Sequence, residues 1–299
     1  MLPRPLGAAT GIVLDRLLGE PPSSVHPVVH FGLFMERLEQ RNYRDTRVSG
    51  IIHTALGASI GLGSGRLLRS TSVTTGIAVG ANALWTAAED VGAALDDDDL
   101  ERARMLLPTL VGRDPRGLGE SEIARAVVES VAENTVDAVV APALWAALAG
   151  APGAFGYRAV NTMDAMVGHH SSRYENYGWA SARLDDVANW VPARCTAALV
   201  AMVRPAKRSE IRRAVLTQAP AHPSPNAGVV EAAFAAALGL RLGGRNNYYG
   251  ERVEDRPALG CGRGPRATDI APAVRLSRDV TTALTTLLGL VGCIRWWTR

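Results

Sequence analysis

Residues 127–148 read VVESVAENTVDAVVAPALWAAL: Glu129, Glu133 and Asp137 stand four positions apart, and the chain then runs on to Leu148 without a charge. At about 100° per residue, a step of four drifts only about 40° around a helix, so the three carboxylates share one stripe with Asn134 beside them. Like charges on one stripe repel. Solvent, basic partners or a bound cation must offset that repulsion, and the apolar continuation makes full solvation the least comfortable of the three. The segment therefore points to a polar site at the edge of an apolar environment.

Further apolar stretches begin at Val48, Thr71, Ala138 and Thr281. Each approaches the roughly 20 residues that a membrane span needs, and each is rich in the small residues that close helix packing in lipid uses. Trp296 and Trp297, beside Arg295 and Arg299, suit an interfacial anchor. Against this, the mean hydropathy is only +0.05, and Ala/Gly-rich helices also build soluble cores. The run from Val187 is short and holds Pro192 and Arg194, which suits a re-entrant or interfacial segment.

Sustained alternation and Asn-Gly or Asp-Gly turns are missing, so strands are not expected. The fold class expected is all-α: a multi-pass integral membrane helical protein with long polar connecting loops. It would form a single membrane-embedded domain over 1–299, with polar motif loops at 96–137, 157–189 and 205–278. The acidic run Asp96 to Asp99 is expected to cap a helix near Leu100. The N-terminal run is interrupted by Asp15 and Arg16, which reads as a retained first helix.

The net charge is +3 and comes from arginine. So small and scattered an excess excludes nucleic acid as a partner and suits anionic small molecules or an anionic membrane face. Three cysteines without a CxxC pair indicate neither a disulfide framework nor a zinc knuckle. Walker, Rossmann, zincin and nucleophile-elbow motifs are all missing. What remains is carboxylate, amide and arginine chemistry, the set that positions a divalent cation and phosphoryl oxygens.

These groups collect between the apolar runs. LDRLLGEPPSSVHPVVHFG carries Asp15, Glu20 and His26, with His26 expected as a helix cap before Pro27. VGRDPRGLGESEIARAVVESVAEN carries Arg113, Asp114 and Arg116. Asn161, Asp164, Arg183, Asp185 and Asp186 follow, around a His169–His170 pair to which no chemistry is assigned. HPSPNAG then supplies His222, Ser224 and Asn226, the last a natural N-cap, with Glu231 beyond. The paired glycines of LRLGGRNNYYGE offer a backbone approach to an anion.

LDRLLGEP with HPV, VGRDPRGLGESEIARAVVESVAENTVDAVVAP, GYRAVNTMDAMVGHHSSRYENYGWASARLDDVANWVPAR, and HPSPNAG followed by LGLRLGGRNNYYG occur in order along nearly the whole chain. Together they resemble the adenosylcobinamide-phosphate synthases of cobalamin biosynthesis, CobD or CbiB. The resemblance implies a multi-pass inner (cell) membrane enzyme, an ATP-dependent carbon–nitrogen ligase. Its substrates would be adenosylcobyric acid and (R)-1-aminopropan-2-ol O-phosphate or ethanolamine phosphate, and its product adenosylcobinamide phosphate. ATP with Mg2+ would act as co-substrate through an acyl phosphate, with no protein-held organic cofactor. Partners would be the lipid bilayer and a homo-oligomer or a complex with corrin-pathway enzymes.

Residue chemistry then nominates Glu129, Glu133 and Asp137 as metal-binding and catalytic, with Asp164 and His222 as further catalytic candidates. Arg113, Asp114, Asn134, Asn161, Arg183, Asp185 and Asn226 are nominated to bind substrate or nucleotide, and Asp185 is also weighed as a base. The rivals are a proton- or cation-coupled membrane carrier, in which the acidic stripe is a relay, and a membrane scaffold with structural carboxylates.

Overall fold

The computed structural model describes residues 2–169, 171–248 and 252–298; His170, Arg299 and the Tyr249–Glu251 part of the glycine-rich stretch lie outside them. The chain is mostly helical. In order come α1 (Arg4–Leu18), α2 (Pro27–Asn42), α3 (Arg47–Leu68), α4 (Thr71–Ala78), α5 (Ala81–Asp96), α6 (Leu100–Leu106), α7 (Glu120–Thr135), α8 (Ala141–Ala149), α9 (Ala151–Met163), α10 (Trp179–Val203), α11 (Arg208–Thr217) and α12 (Ala227–Leu238). An antiparallel ribbon of β1 (Leu242–Tyr248) and β2 (Arg252–Leu259) follows, then α13 (Ile270–Trp297).

Local chemistry sets several boundaries. His26 Nδ1 accepts the Val28 N–H at 3.2 Å, capping α2 as expected. Asp99 caps α6 through the Arg102 N–H at 2.9 Å. At α12 the expected cap is corrected: the Ser224 hydroxyl, not Asn226, accepts the Ala227 N–H at 3.1 Å.

Three expectations change. The segments expected as polar loops are largely helix: α6 and α7 lie within 96–137, and α11, α12 and the β-ribbon within 205–278. The ribbon went unseen because its strands are polar, and Pro257 sits where a two-stranded sheet has an edge to spare. The run from Val187 is the second half of the unbroken α10, so it is not re-entrant. The Thr71 run breaks at Val79–Gly80, and the Ala138 run at Gly150, whose φ is 74°. Among the described residues, Ala267–Trp297, which contains α13, is the one helix long and apolar enough to cross a membrane.

The chain divides into two compact units. Unit 1 is Met1–Asn82, Asp137–Trp190 and Leu284–Arg299; unit 2 is Ala83–Val136 and Val191–Ala283. In unit 1, α3 packs on α9 through Gly57, Gly61 and Gly65. A Cβ at Gly61 would lie 2.6 Å from Phe155 O, and one at Gly65 2.5 Å from Ala151 O. This close approach of backbones leaves Val48, Ile51, Ile52, Leu56, Leu62 and Leu67 of α3 exposed, so small residues face inward and large apolar ones outward.

In unit 2, α12 is buried from Ala227 to Ala236 and α7 over most of its length. Polar pairs thread this interior: Trp85 Nε1 donates to Ser277 Oγ at 2.9 Å, and Thr135 Oγ1 lies 2.8 Å from the same oxygen.

Candidate functional site

On α7, Glu129 and Glu133 stand one turn apart. Glu129 is buried, and the buried Arg113 donates to its Oε2 through Nη2. Its Oε1 accepts the Gly243 N–H at 2.8 Å. That donor is free of the β-ladder because the register shifts between Leu242 and Gly244, opposite Pro257. Gly243 and Gly244 hold φ values of 85° and 96°, and a Cβ on Gly243 would meet Pro257 O at 2.1 Å, so only glycine fits. Arg125 fastens the strand to α7 by donating to the Gly243 and Arg245 carbonyls. The turn that delivers Arg113 is held by Ser130 Oγ on Leu110 O at 2.8 Å and by Arg104 on Leu118 O.

Glu133 is solvent-accessible, yet burial by the surrounding protein raises its carboxyl, opposed by Arg256 and Arg113, which lower it. Glu231, on α12, is fully buried. Its Oε1 lies 3.6 Å from Arg256 Nη1 and 3.8 Å from His222 Nε2, outside hydrogen-bond range. Both Glu231 oxygens and His222 Nε2 lack a hydrogen-bond partner among the described residues. Burial first, then repulsion from Glu129 and Glu133, holds the Glu231 carboxyl well above the usual carboxylate range.

Burial pushes His222 down, opposed by its backbone bond to Ser224, while Arg256 lowers it further. Its ring sits over Gly228, where a Cβ would lie 2.4 Å from His222 Cβ, which accounts for the glycine of HPSPNAG. Buried atoms left without partners usually mark a ligand or water position. Here a guanidinium and an imidazole each lie within 4 Å of the Glu231 carboxyl without a hydrogen bond to it.

The stripe expected from the sequence is interrupted. After Thr135 the chain enters a π turn over Val136–Val140, whose wider winding breaks the four-residue register, and Asp137 falls in unit 1. No group of three or more His, Cys, Asp or Glu side chains stands at metal-binding spacing among the described residues. Glu129, moreover, is already committed to Arg113 and Gly243. The three-carboxylate metal site therefore does not fit this geometry. A cation brought by substrate phosphates, meeting one carboxylate such as Glu133, does fit, because Mg2+ usually takes one or two carboxylates beside phosphates.

Unit 1 holds a second polar cluster. Tyr157 OH donates to Asn189 Oδ1 at 2.9 Å, Asn189 Nδ2 to Asp185 Oδ2 at 2.9 Å, and Asn161 Nδ2 to Asp185 Oδ1 at 3.3 Å. Asp164 opens a second π turn, Asp164–Gly168. A Cβ at Gly168 would fall 1.9 Å from Asp164 Oδ1, so the missing side chain makes room for the carboxylate.

The other nominated residues have local partners. Asp114 accepts from Arg116 backbone and side chain, and those bonds hold its carboxyl below the usual range. Asn134 donates to Ser130 one turn back. Arg183 is exposed, 3.7 Å from Asp186. Asn226 is buried and accepts from Arg194 at 3.2 Å. Glu231 and Arg256 are site residues that the sequence did not nominate; the available signal was a lone carboxylate inside the apolar AGVVEAAFAAAL.

The family profile described as CobD/Cbib protein matches residues 8–277. A "Cobalamin biosynthesis protein CobD" of Mycobacterium tuberculosis (strain CDC 1551 / Oshkosh) is 47% identical over 290 residues, covering 93% of this chain and 92% of the relative. Proteins of the same name from Chromobacterium violaceum and Geobacter metallireducens are 43% and 41% identical, covering 89% and 84% of this chain and 89% and 85% of themselves. No solved structure matches. The profile match and the length of these alignments agree: the chain belongs to the CobD/CbiB family.

Proposed function

We propose that the chain acts in cobalamin biosynthesis as an ATP-dependent carbon–nitrogen ligase. It joins adenosylcobyric acid to (R)-1-aminopropan-2-ol O-phosphate, or to ethanolamine phosphate, giving adenosylcobinamide phosphate. The observation that carries this reading is the near full-length similarity to proteins named for cobalamin biosynthesis. The buried Glu–Arg–His cluster supports it, since arginines suit phosphate oxygens and carboxylates suit an ammonium.

In this reading a corrin propionate oxygen attacks the γ-phosphorus of ATP and ADP leaves. The amine nitrogen then attacks the acyl carbon and phosphate leaves. Before attack the ammonium gives up a proton, and His222, kept neutral by burial and with its Nε2 lacking a hydrogen-bond partner among the described residues, is the proposed acceptor. Arg256 and Arg113 supply positive potential to phosphate oxygens. Glu133 orients the amine or the cation that accompanies the nucleotide. Catalysis then rests on orientation and charge.

The same reading makes the chain integral to the inner (cell) membrane. Its support is α13, of whose most apolar window only 28% is buried within the chain, and the outward-facing large residues of α3.

The test is ADP release and product mass from purified, detergent-solubilised protein given Mg-ATP, adenosylcobyric acid and aminopropanol phosphate, with Glu133→Gln beside it. ADP formed in step with a new amide, and lost in the folded variant, is the expected result. No ATP turnover in a well-folded sample with every substrate present would shift the reading to the carrier or the scaffold.

A further inference from the structure

A cavity of about 290 Å³ lies within unit 1, walled by α2, α3 and α9. Phe31 and Phe34 of α2, Ile60 of α3 and Phe155 of α9 make most of its surface apolar, and Arg158 enters it from α9. Arg158 is half-buried. Its Nη1 reaches Asn161 Oδ1 at 3.4 Å, the outer limit of a hydrogen bond, and its buried Nε has no hydrogen-bond partner among the described residues. Among the described residues no carboxylate pairs with it. His30, at the rim, is engaged with Ser24 O at 2.8 Å and offers Arg158 no negative charge.

A half-buried guanidinium without a carboxylate partner favours an anionic ligand, and the phenylalanine-lined walls beside it favour an apolar one. The two features demand opposite things of any occupant. A nucleotide or an aminoalcohol phosphate would satisfy Arg158 and leave the aromatic walls unmatched. A neutral lipid would fill the walls and leave Arg158 unpaired. An amphiphile with one anionic head and an acyl chain meets both requirements. The exposed Val29 and Leu33 continue the apolar surface along α2 beside the cavity, the setting from which such a chain would enter.

We propose that the cavity between α2, α3 and α9 binds one acyl chain of an anionic phospholipid, with the lipid phosphate held by Arg158. The site goes beyond the ligase reading and does not depend on it.

Native mass spectrometry of the purified full chain, released from mild detergent with added phosphatidylglycerol or phosphatidylcholine, tests the proposal. The expected result is one retained phosphatidylglycerol, favoured over phosphatidylcholine by about tenfold, the scale of one charge-assisted contact. Arg158→Gln should erase the preference and Arg158→Lys keep part of it. Ser64→Leu, which narrows the apolar wall without touching the guanidinium, should reduce retention of both lipids. Equal retention of the two lipids by the unaltered protein overturns the proposal, as does an unchanged preference in Arg158→Gln. Inorganic phosphate that displaces phosphatidylglycerol equally well from the unaltered protein and from Ser64→Leu would assign Arg158 to free phosphate and also overturn it. Should Arg158→Gln fail to fold, Ser64→Leu decides: full retention there sinks the acyl-chain site.

Discussion

Units 1 and 2 are of nearly equal length, yet of 31 exposed large hydrophobic side chains among the described residues, 27 belong to unit 1 and four to unit 2. Their interiors do not differ in that way, since both bury charged and polar groups. Unit 2 buries Glu129, Arg113, Glu231 and His222, and unit 1 buries Asp15, Glu39, His53 and Asp185. Unit 1 packs glycine against backbone and turns its large apolar residues outward. A near-zero mean hydropathy thus averages two surfaces of different apolar content and conceals the difference.

The sharpest break in the comparison is Glu129→Ala. It strands the buried Arg113 and the Gly243 N–H, so a loss of about 3–5 kcal/mol is expected, read as a lowered unfolding midpoint. Next comes a matched pair: Ile52 in unit 1 is 64% exposed and Leu216 in unit 2 is 62% exposed. If unit 1 faces lipid, Ile52→Asp should cost about 2.5–3.5 kcal/mol of insertion, seen as protein lost from the membrane fraction. Leu216→Asp should stay within about 0.5 kcal/mol. Equal, small effects would remove the difference between the units.

His222→Gln should lower amide formation on the order of 100-fold in a product assay, since it removes the neutral imidazole proposed to accept the ammonium proton.

A smaller effect tests the polar interior of unit 1. Asp15 is buried, and burial, opposed by the Asn82 N–H, raises its carboxyl from 3.8 to about 7. A raised folded value means that its contribution is fully present below 3.8 and lost as pH climbs through about 7. Asp15→Asn should therefore flatten the fall in thermal stability across that interval, by on the order of 1–2 kcal/mol once residual solvation is allowed for. Smallest of all, Arg183→Ala should change stability by less than about 0.5 kcal/mol, since its pair with Asp186 is exposed.

How far the sequence foretold this arrangement varied with the range of the interaction. His26 and Asp99 were readable as caps because a cap is decided within four residues. Glu129 and Glu133 were readable as neighbours for the same reason. Asp137 was misplaced because a π turn depends on the surroundings and leaves no local pattern. The ribbon depends on pairing between two polar strands, and the Gly243 donor on a site more than a hundred residues away along the chain. Glu231 escaped because an apolar helix with one acid resembles a core helix with a defect. Ser224 displaced Asn226 as the cap once Arg194 had claimed the amide.

The division into units has a consequence for how the molecule is made. Each unit is stitched from separated stretches, and the chain changes unit between residues 82 and 83, 136 and 137, 190 and 191, and 283 and 284. Unit 2 is incomplete until Ala283 has been synthesised, and unit 1 until the stretch from Leu284 onward has followed. A ribosome therefore cannot deliver one finished body and then begin the next, the usual order for chains of several domains. Early segments must wait, holding their apolar surface, for partners translated last. No single cut can release either unit as a continuous piece.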